Sequence, residues 1–356
     1  MRSGFTTGAC AQAATRAAAL TVATGYVPCE RRGGKMGDRE TRGSVEITLP
    51  NGQTTIFMVT MHAEGVCSVI KDAGDDPDVT NGIQLFACVT PRLDGRVFVD
   101  GAEGVGRVTL DGLAVKTGRA AINPVPLKYI REEARRVLVR GAEVTISVPM
   151  GEEVALRTFN PKLGILGGIS ILGTTGRVEP WSSAAYQESL LPQLDVARAC
   201  GVKTPVLVPG AKGERAALKY GFDHLQVVQM GNYAGMMLKA ARDRGFTRVV
   251  LLGHASKLAK LSRGEFNTHS RSSSMPLDVL ADCAVTQGWS RRRARALELL
   301  PTTEAALTRL KAAGAEAVLD EAARRVAAVI RKEFKMKTEV FLTDSHGGIV
   351  GRSGKK

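Results

Sequence analysis

The chain has 356 residues, with 49 Lys plus Arg against 35 Asp plus Glu and a formal net charge of +14. At about 150 residues per domain this length predicts two domains, and an apolar content of 44% excludes an extended disordered chain. No stretch approaches the roughly 18 consecutive apolar residues of a membrane helix, and none of the six cysteines forms a Cys-x-x-Cys pair, which sets aside a zinc ribbon and a thioredoxin-type site.

Residues 5–24 read as an Ala-rich helix, capped by Thr6 or Thr7 and stopped at Gly25. Gln12, Thr15 and Arg16 interrupt its apolar run, so it reads as a helix and not as a leader. A charged, Gly-rich loop is expected from Glu30 to Arg42. Val45, Ile47 and Leu49 alternate with polar residues, Asn51-Gly52 turns the chain, and Thr55 to Val59 returns it as a hairpin. Ile83 to Thr90, Val97 to Val99 and Val144 to Val148 are further strands, and Leu127 to Leu138 is a helix. Together they predict a mixed α+β domain over residues 1–153.

Beyond it the pattern changes. Ile169 to Leu172, Val206 to Val208, Gln226 to Val228, Val249 to Leu252 and Val340 to Leu342 are short, continuously apolar strands. Helices are expected near 182–200, 212–220 and 232–244, and residues 276–335 read as mainly helical. Such alternation predicts an α/β domain over residues 154–356, a mostly parallel sheet with helices on both faces.

In sheets of that kind ligands bind at the carboxyl ends of the strands. Glycines gather there: Gly164, Gly167, Gly168, Gly173 and Gly176 in one segment, then Gly210, Gly231 and Gly253 after later strands. A P-loop sequence is absent, and Gly101, Gly104 and Gly106 form a turn, not a dinucleotide fingerprint. The five histidines are His62, His224, His254, His269 and His346; His254 directly follows a strand, His269 lies in a polar segment, and His62 and His224 have no motif around them. Asp72, Asp75, Asp76 and Asp78 crowd one short segment, which reads as an Asp-rich turn, with a cation site or a general base as the alternatives. The +14 charge points to a polyanionic partner, with solvated Arg faces of a basic proteome as the alternative.

Several segments resemble a known family. Gly4-Phe-Thr-Thr-Gly-Ala-Cys10, Val69-Ile-Lys-Asp-Ala-Gly-Asp-Asp-Pro-Asp-Val-Thr80, Ala121-Ile-Asn-Pro-Val-Pro126, Gly167-Gly-Ile-Ser-Ile-Leu-Gly-Thr-Thr-Gly176 and Phe266-Asn-Thr-His-Ser270 are similar, in order, to the cobalt-precorrin-5B C1-methyltransferases (CbiD). Two stretches depart from that pattern: Gly253-His-Ala-Ser-Lys257 stands where the family reads Gly-His-Ile-Gly-Lys, and Ser272-Ser-Ser-Met follows Arg271.

The resemblance implies methyl transfer from S-adenosylmethionine to C1 of cobalt-precorrin-5B, giving cobalt-precorrin-6A in anaerobic corrin-ring assembly. The cobalt arrives with the tetrapyrrole, whose several carboxylates would suit a basic protein, and no protein-bound metal is expected. On this reading Gly167, Gly168, Thr174, Thr175, Gly176, Gly210, Gly231 and Asn232 contact the methyl donor. His254, His269 and Asp72 are the candidate catalytic groups. Thr6, Thr7, Lys71, Asp75, Asp76, Lys257, Asn267, Ser270 and Arg271 are candidates for contact with the ring.

A cytoplasmic enzyme is expected, with no nucleic-acid or membrane partner, and a homo-oligomer stays open. Two other readings compete. One is a basic nucleic-acid-binding protein, supported by Arg291-Arg292-Arg293 beside Trp289; the other is a nucleotide-dependent oxidoreductase, weakened by the missing fingerprint.

Overall fold

The structure, a computed structural model, describes residues 1–25, 41–269 and 273–354. The chain divides into two compact units, Met1–Ser183 and Ala184–Lys356. The loop expected at Glu30 to Arg42 falls mostly outside the described residues.

The first unit runs β1 (Gly4–Phe5), α1 (Thr7–Thr24), β2 (Thr41–Thr48), β3 (Thr54–Ala63), β4 (Val66–Ile70), β5 (Gln84–Pro91), β6 (Val97–Gly101), β7 (Gly104–Val105), β8 (Arg107–Val108), α2 (Pro124–Val137), β9 (Ala142–Ser147), α3 (Gly151–Ala155), β10 (Ile165–Leu166), β11 (Gly168–Ile169) and β12 (Arg177–Val178). Six strands form one sheet in the order β2-β3-β4-β5-β9-β6, antiparallel except for the parallel pair β6–β9.

The hairpin read from the alternation is β2–β3, with Val45 opposite Phe57 and both buried. Helix α1 starts where Thr6 Oγ1 accepts from the Ala9 amide and ends at Gly25, whose φ of 79° suits glycine. Ala13, Ala14, Ala17 and Ala18 are buried, and these small side chains let the helix lie close to β5 and α2. Glu133 of α2 is buried against it, accepting from Gln12, Arg16 and Arg136.

Lys71 is almost wholly buried, and its Nζ donates to Asp78 Oδ2 at 2.7 Å. Burial pushes the Asp78 carboxyl up, but the Lys71 charge and hydrogen bonds from Lys71 and Thr80 outweigh it and hold the acid below its usual value. That contribution to stability is therefore complete above the ordinary Asp pKa of about 4 and is lost as pH falls through the depressed value. Lys71→Met strands a half-buried carboxylate. It is expected to cost about 3 kcal/mol near pH 7 and to flatten the loss of stability as pH falls below about 4. Urea unfolding of both proteins across that range checks it.

The second unit runs α4 (Ser183–Leu190), α5 (Pro192–Ala199), β13 (Val206–Val208), α6 (Ala211–Lys219), β14 (Val227–Gln229), α7 (Ala234–Asp243), β15 (Arg248–His254), α8 (Ala255–Leu258), α9 (Leu277–Thr286), α10 (Arg291–Glu298), α11 (Thr303–Ala312), α12 (Ala317–Phe334), β16 (Lys337–Thr343) and β17 (Ile349–Arg352). Its sheet has the order β14-β13-β15-β16-β17, parallel except for the antiparallel β17. Every residue of β13 is buried, as a strand covered on both faces requires.

Two expectations need correction. The strand foreseen at Ile169 to Leu172 is only Gly168–Ile169, and it pairs with β7 in the first unit, not with the parallel sheet. In addition, β10 and β12 pair with β8 and β1, so residues 154–183 stay with the first unit. The break thus falls after Ser183 instead of after residue 153.

Candidate functional site

The strand order of the second unit contains a reversal. From β13 the chain steps outward to β14, then returns past β13 to form β15. The connections leaving β13 and β15 diverge at that point, which is where open α/β sheets form a ligand crevice. Two neighbouring cavities lie there and share His254, Ser256, Lys257 and Ser345. One, of about 430 Å³, is lined by Pro209, Gly210, Lys212 and Asp344; the other, of about 560 Å³, by Asn232, Lys260, Thr302, Thr303 and Glu304.

Local chemistry explains the lining. Gly210 opens α6, whose N-terminus has no side-chain cap, and a Cβ there would meet nothing within 4 Å. The first amides of α6 are thus available to an anion. His254 ends β15 and caps the short α8. Its Nδ1 accepts from the Ser256 amide at 3.1 Å and from the Ser256 hydroxyl at 2.6 Å, so the ring proton lies on Nε2, which donates to Glu304 Oε2 at 2.9 Å. Glu304 also accepts from the Ser345 hydroxyl at 3.0 Å. Burial pulls the Glu304 carboxyl upward, but the hydrogen bonds from His254 and Ser345 outweigh it and hold the acid below its usual value. Both ring nitrogens of His254 are thus engaged in hydrogen bonds that tie it to Ser256 and Glu304.

Lys257 Nζ donates to Asn232 Oδ1 at 3.0 Å. The Thr268 amide donates to the Asn232 carbonyl at 2.9 Å, and Tyr233 bridges to Asn267, so the 266–269 segment is tied to the loop after β14. Lys260, almost fully buried, donates to Ser273 Oγ at 2.8 Å. Burial pulls both lysines below their usual pKa; Lys260 lowers Lys257 further, while Glu265 opposes the shift of Lys260.

Of the residues foreseen from sequence, the structure brings His254, His269, Lys257, Asn232 and Gly210 to these cavities. Gly231 lies beside them against the Tyr186 ring, and the Asn267 side chain accepts from the His269 amide. Ser270 and Arg271 lie outside the described residues.

The remaining candidates belong to the first unit. Gly167, Gly168, Thr174, Thr175 and Gly176 lie there, not on the parallel sheet. A Cβ on Gly168 would come within 2.2 Å of the Gly104 backbone, so this glycine serves a close crossing of chains. The Gly176 carbonyl accepts from the Thr6 amide, and Thr175 bonds Arg177. Thr6 caps α1, while the Thr7 hydroxyl bonds Ser170 and Leu172. Lys71 is enclosed with Asp78. Asp72 pairs with Arg2, whose hydrogen bond holds its carboxyl below the usual range, so it is a poor proton acceptor. Asp75 accepts from the Arg2 amide and Asp76 from that of Trp181.

Sequence reasoning missed Ser256, Lys260, Thr302, Thr303, Glu304 and Ser345. Ser345 follows a parallel strand, so the strand-end rule that selected His254 would also have reached it. The Arg291 cluster forms α10 away from this site, with Arg293 stacked 3.7 Å from the Trp289 ring centre and Asp282 and Glu298 among its neighbours. Among the described residues no group of three or more His, Cys, Asp or Glu gathers as a metal holder, and no helix is long and apolar enough to cross a membrane.

Comparison with known proteins adds a family. A family model described as CbiD matches residues 1–180, and one described as CbiD, C-terminal domain, matches residues 267–354. A cobalt-precorrin-5B C(1)-methyltransferase of Thermoanaerobacter sp. (strain X514) is 38% identical, covering 100% of this chain and 96% of its own. One from Moorella thermoacetica is 38% identical over 99% of this chain and 95% of its own, and one from Priestia megaterium is 41% identical over 82% and 78%. Among solved structures, the cobalamin biosynthesis protein (cbiD) from Archaeoglobus fulgidus matches with a TM-score of 0.42 and 30% identity, covering 76% of this chain and 84% of that one.

Proposed function

The chain belongs to the CbiD family and is a methyltransferase acting on C1 of cobalt-precorrin-5B in corrin-ring assembly; we propose that its methyl donor is S-adenosylmethionine, held at the carboxyl edge of the second unit's sheet. The observation that carries this reading is the crevice at the β13/β15 reversal, where His254, Lys257, Asn232 and Gly210 converge.

The residues present fit such a donor. The uncapped N-terminus of α6 and two lysines offer donors to a carboxylate, and open space at Gly210 admits a close approach. S-adenosylmethionine supplies a methyl group on a sulfonium, ready for in-line displacement by a nucleophilic carbon. The chain's task is positioning. His254, fixed between Ser256 and Glu304, holds the ends of β15 and α11 in register. Lys257 is aimed by Asn232, and its ammonium can meet an anionic arm of the ring or the donor. The surplus positive charge raises the local concentration of a substrate with several carboxylates. A cytoplasmic enzyme fits the described cysteines, all of which are free.

Isothermal titration with S-adenosylmethionine is expected to show saturable one-site binding that persists in moderate salt. Mixing the protein with cobalt-precorrin-5B and donor labelled with ¹³C in the methyl group is expected to place the label on C1. Label elsewhere, or none with an intact substrate, would overturn the assignment.

A further inference from the structure

We propose that Lys257, Lys260 and the N-terminus of α11 form a carboxylate subsite within the larger cavity, taking either the amino-acid carboxylate of the methyl donor or an acetate or propionate arm of the tetrapyrrole. The proposal rests on the functional reading above and adds to it a ligand group and two residues outside the family motifs, Lys260 and Thr303.

Three independent observations support it. First, the two lysines line one cavity and Lys260 adds to the electrostatic cost of Lys257, yet neither forms an ion pair among the described residues. Among the described residues Lys257 bonds the Asn232 amide oxygen, and Lys260 the Ser273 hydroxyl and carbonyl. Each ammonium carries three N–H donors, so both keep capacity for an anion. Burial still holds both lysines below their usual pKa, Glu265 offsetting only part of that cost at Lys260, and a bound carboxylate would relieve it. Second, Glu304, the acid in the cavity wall, is bonded to His254 and Ser345 and forms no ion pair with either lysine among the described residues. Third, α11 is ten residues long and begins at this cavity; Thr302 caps it, and the Thr303 hydroxyl, on a residue 3% exposed, has no hydrogen-bond partner among the described residues. An orphaned buried hydroxyl beside a helix N-terminus and two ammoniums matches the donor set a carboxylate needs.

The test uses Lys260→Met, which keeps the volume and removes the charge, and Thr303→Val as a milder second variant. Both are titrated with S-adenosylmethionine and with its decarboxylated analogue, and both are assayed for the KM of cobalt-precorrin-5B. Circular dichroism confirms that each is folded. If the carboxylate is the donor's, Lys260→Met weakens S-adenosylmethionine roughly 10- to 100-fold and leaves the decarboxylated analogue unchanged. If it belongs to the ring, donor affinity stays constant and KM rises by a similar factor. Thr303→Val shifts the same constant by a smaller factor. Folded variants that match the wild type in all three constants, or that weaken both donor forms equally with KM unchanged, overturn the subsite. Wild-type protein that binds neither donor form and does not methylate the ring overturns the functional reading itself.

Discussion

His254→Ala is expected to lower kcat/KM for ring methylation by about 100-fold, which corresponds to about 2.7 kcal/mol of lost transition-state stabilisation. The imidazole joins the end of β15 to the start of α11: Nδ1 accepts from Ser256 and Nε2 donates to Glu304. Without the ring, Glu304 keeps Ser345 alone as a side-chain partner among the described residues, and the wall shared by both cavities loses its cross-brace. Methyl transfer depends on near-attack geometry, so a displacement of about 1 Å has a large kinetic effect. Stability should fall far less, by about 1–2 kcal/mol, because the ring is 28% exposed and the sheet core does not depend on it. Steady-state kinetics beside thermal unfolding separates the two effects. A folded His254→Ala protein with wild-type kcat/KM would remove the brace from the mechanism.

Gly104→Ala is expected to cost about 3–5 kcal/mol and to prevent the first unit from folding at 37 °C. Gly104 has a φ of 69°, and a Cβ built on it would lie 1.8 Å from the Val148 carbonyl oxygen. Gly151 and Gly168 approach the same backbone, and their Cβ positions would come within 2.2 Å of Gly104. Three chain segments therefore cross where only hydrogen fits, and the blocking atoms are backbone, which cannot rotate away. Denaturant unfolding of Gly104→Ala, with Gly52→Ala as a control for positive φ without crowding, checks the claim. Gly52 has a φ of 85° and open space around its Cβ, so its substitution should cost only about 1–2 kcal/mol.

These glycines also mark the limit of what the sequence discloses. Val206–Val208 and the later strands were readable because continuous apolar runs between helices have one packing solution, a covered parallel sheet. Residues 164–176 offered a similar run with more glycine, and nothing local in it signals that Gly168–Ile169 pairs with Gly104–Val105 some sixty residues earlier. Glycine spacing alone does not separate a ligand loop from a close crossing of chains.

At the candidate site, residues directly after strands, His254 and Gly210, were accessible to reasoning because sheet topology sends them to one edge. Glu304 and the Thr302 cap reach that edge from a helix some fifty residues further on, through tertiary packing that no periodicity records. Lys71 shows the opposite case. It lies in a polar motif and looked available to a ligand, but the fold encloses it with Asp78.

The most direct test of the site is a crystal structure of the protein with S-adenosylhomocysteine. Ligand density is expected across the carboxyl ends of β13, β15 and β16, within contact distance of Gly210 and His254. Density instead at Gly173 to Gly176 in the first unit, with the β13/β15 edge empty, would contradict it.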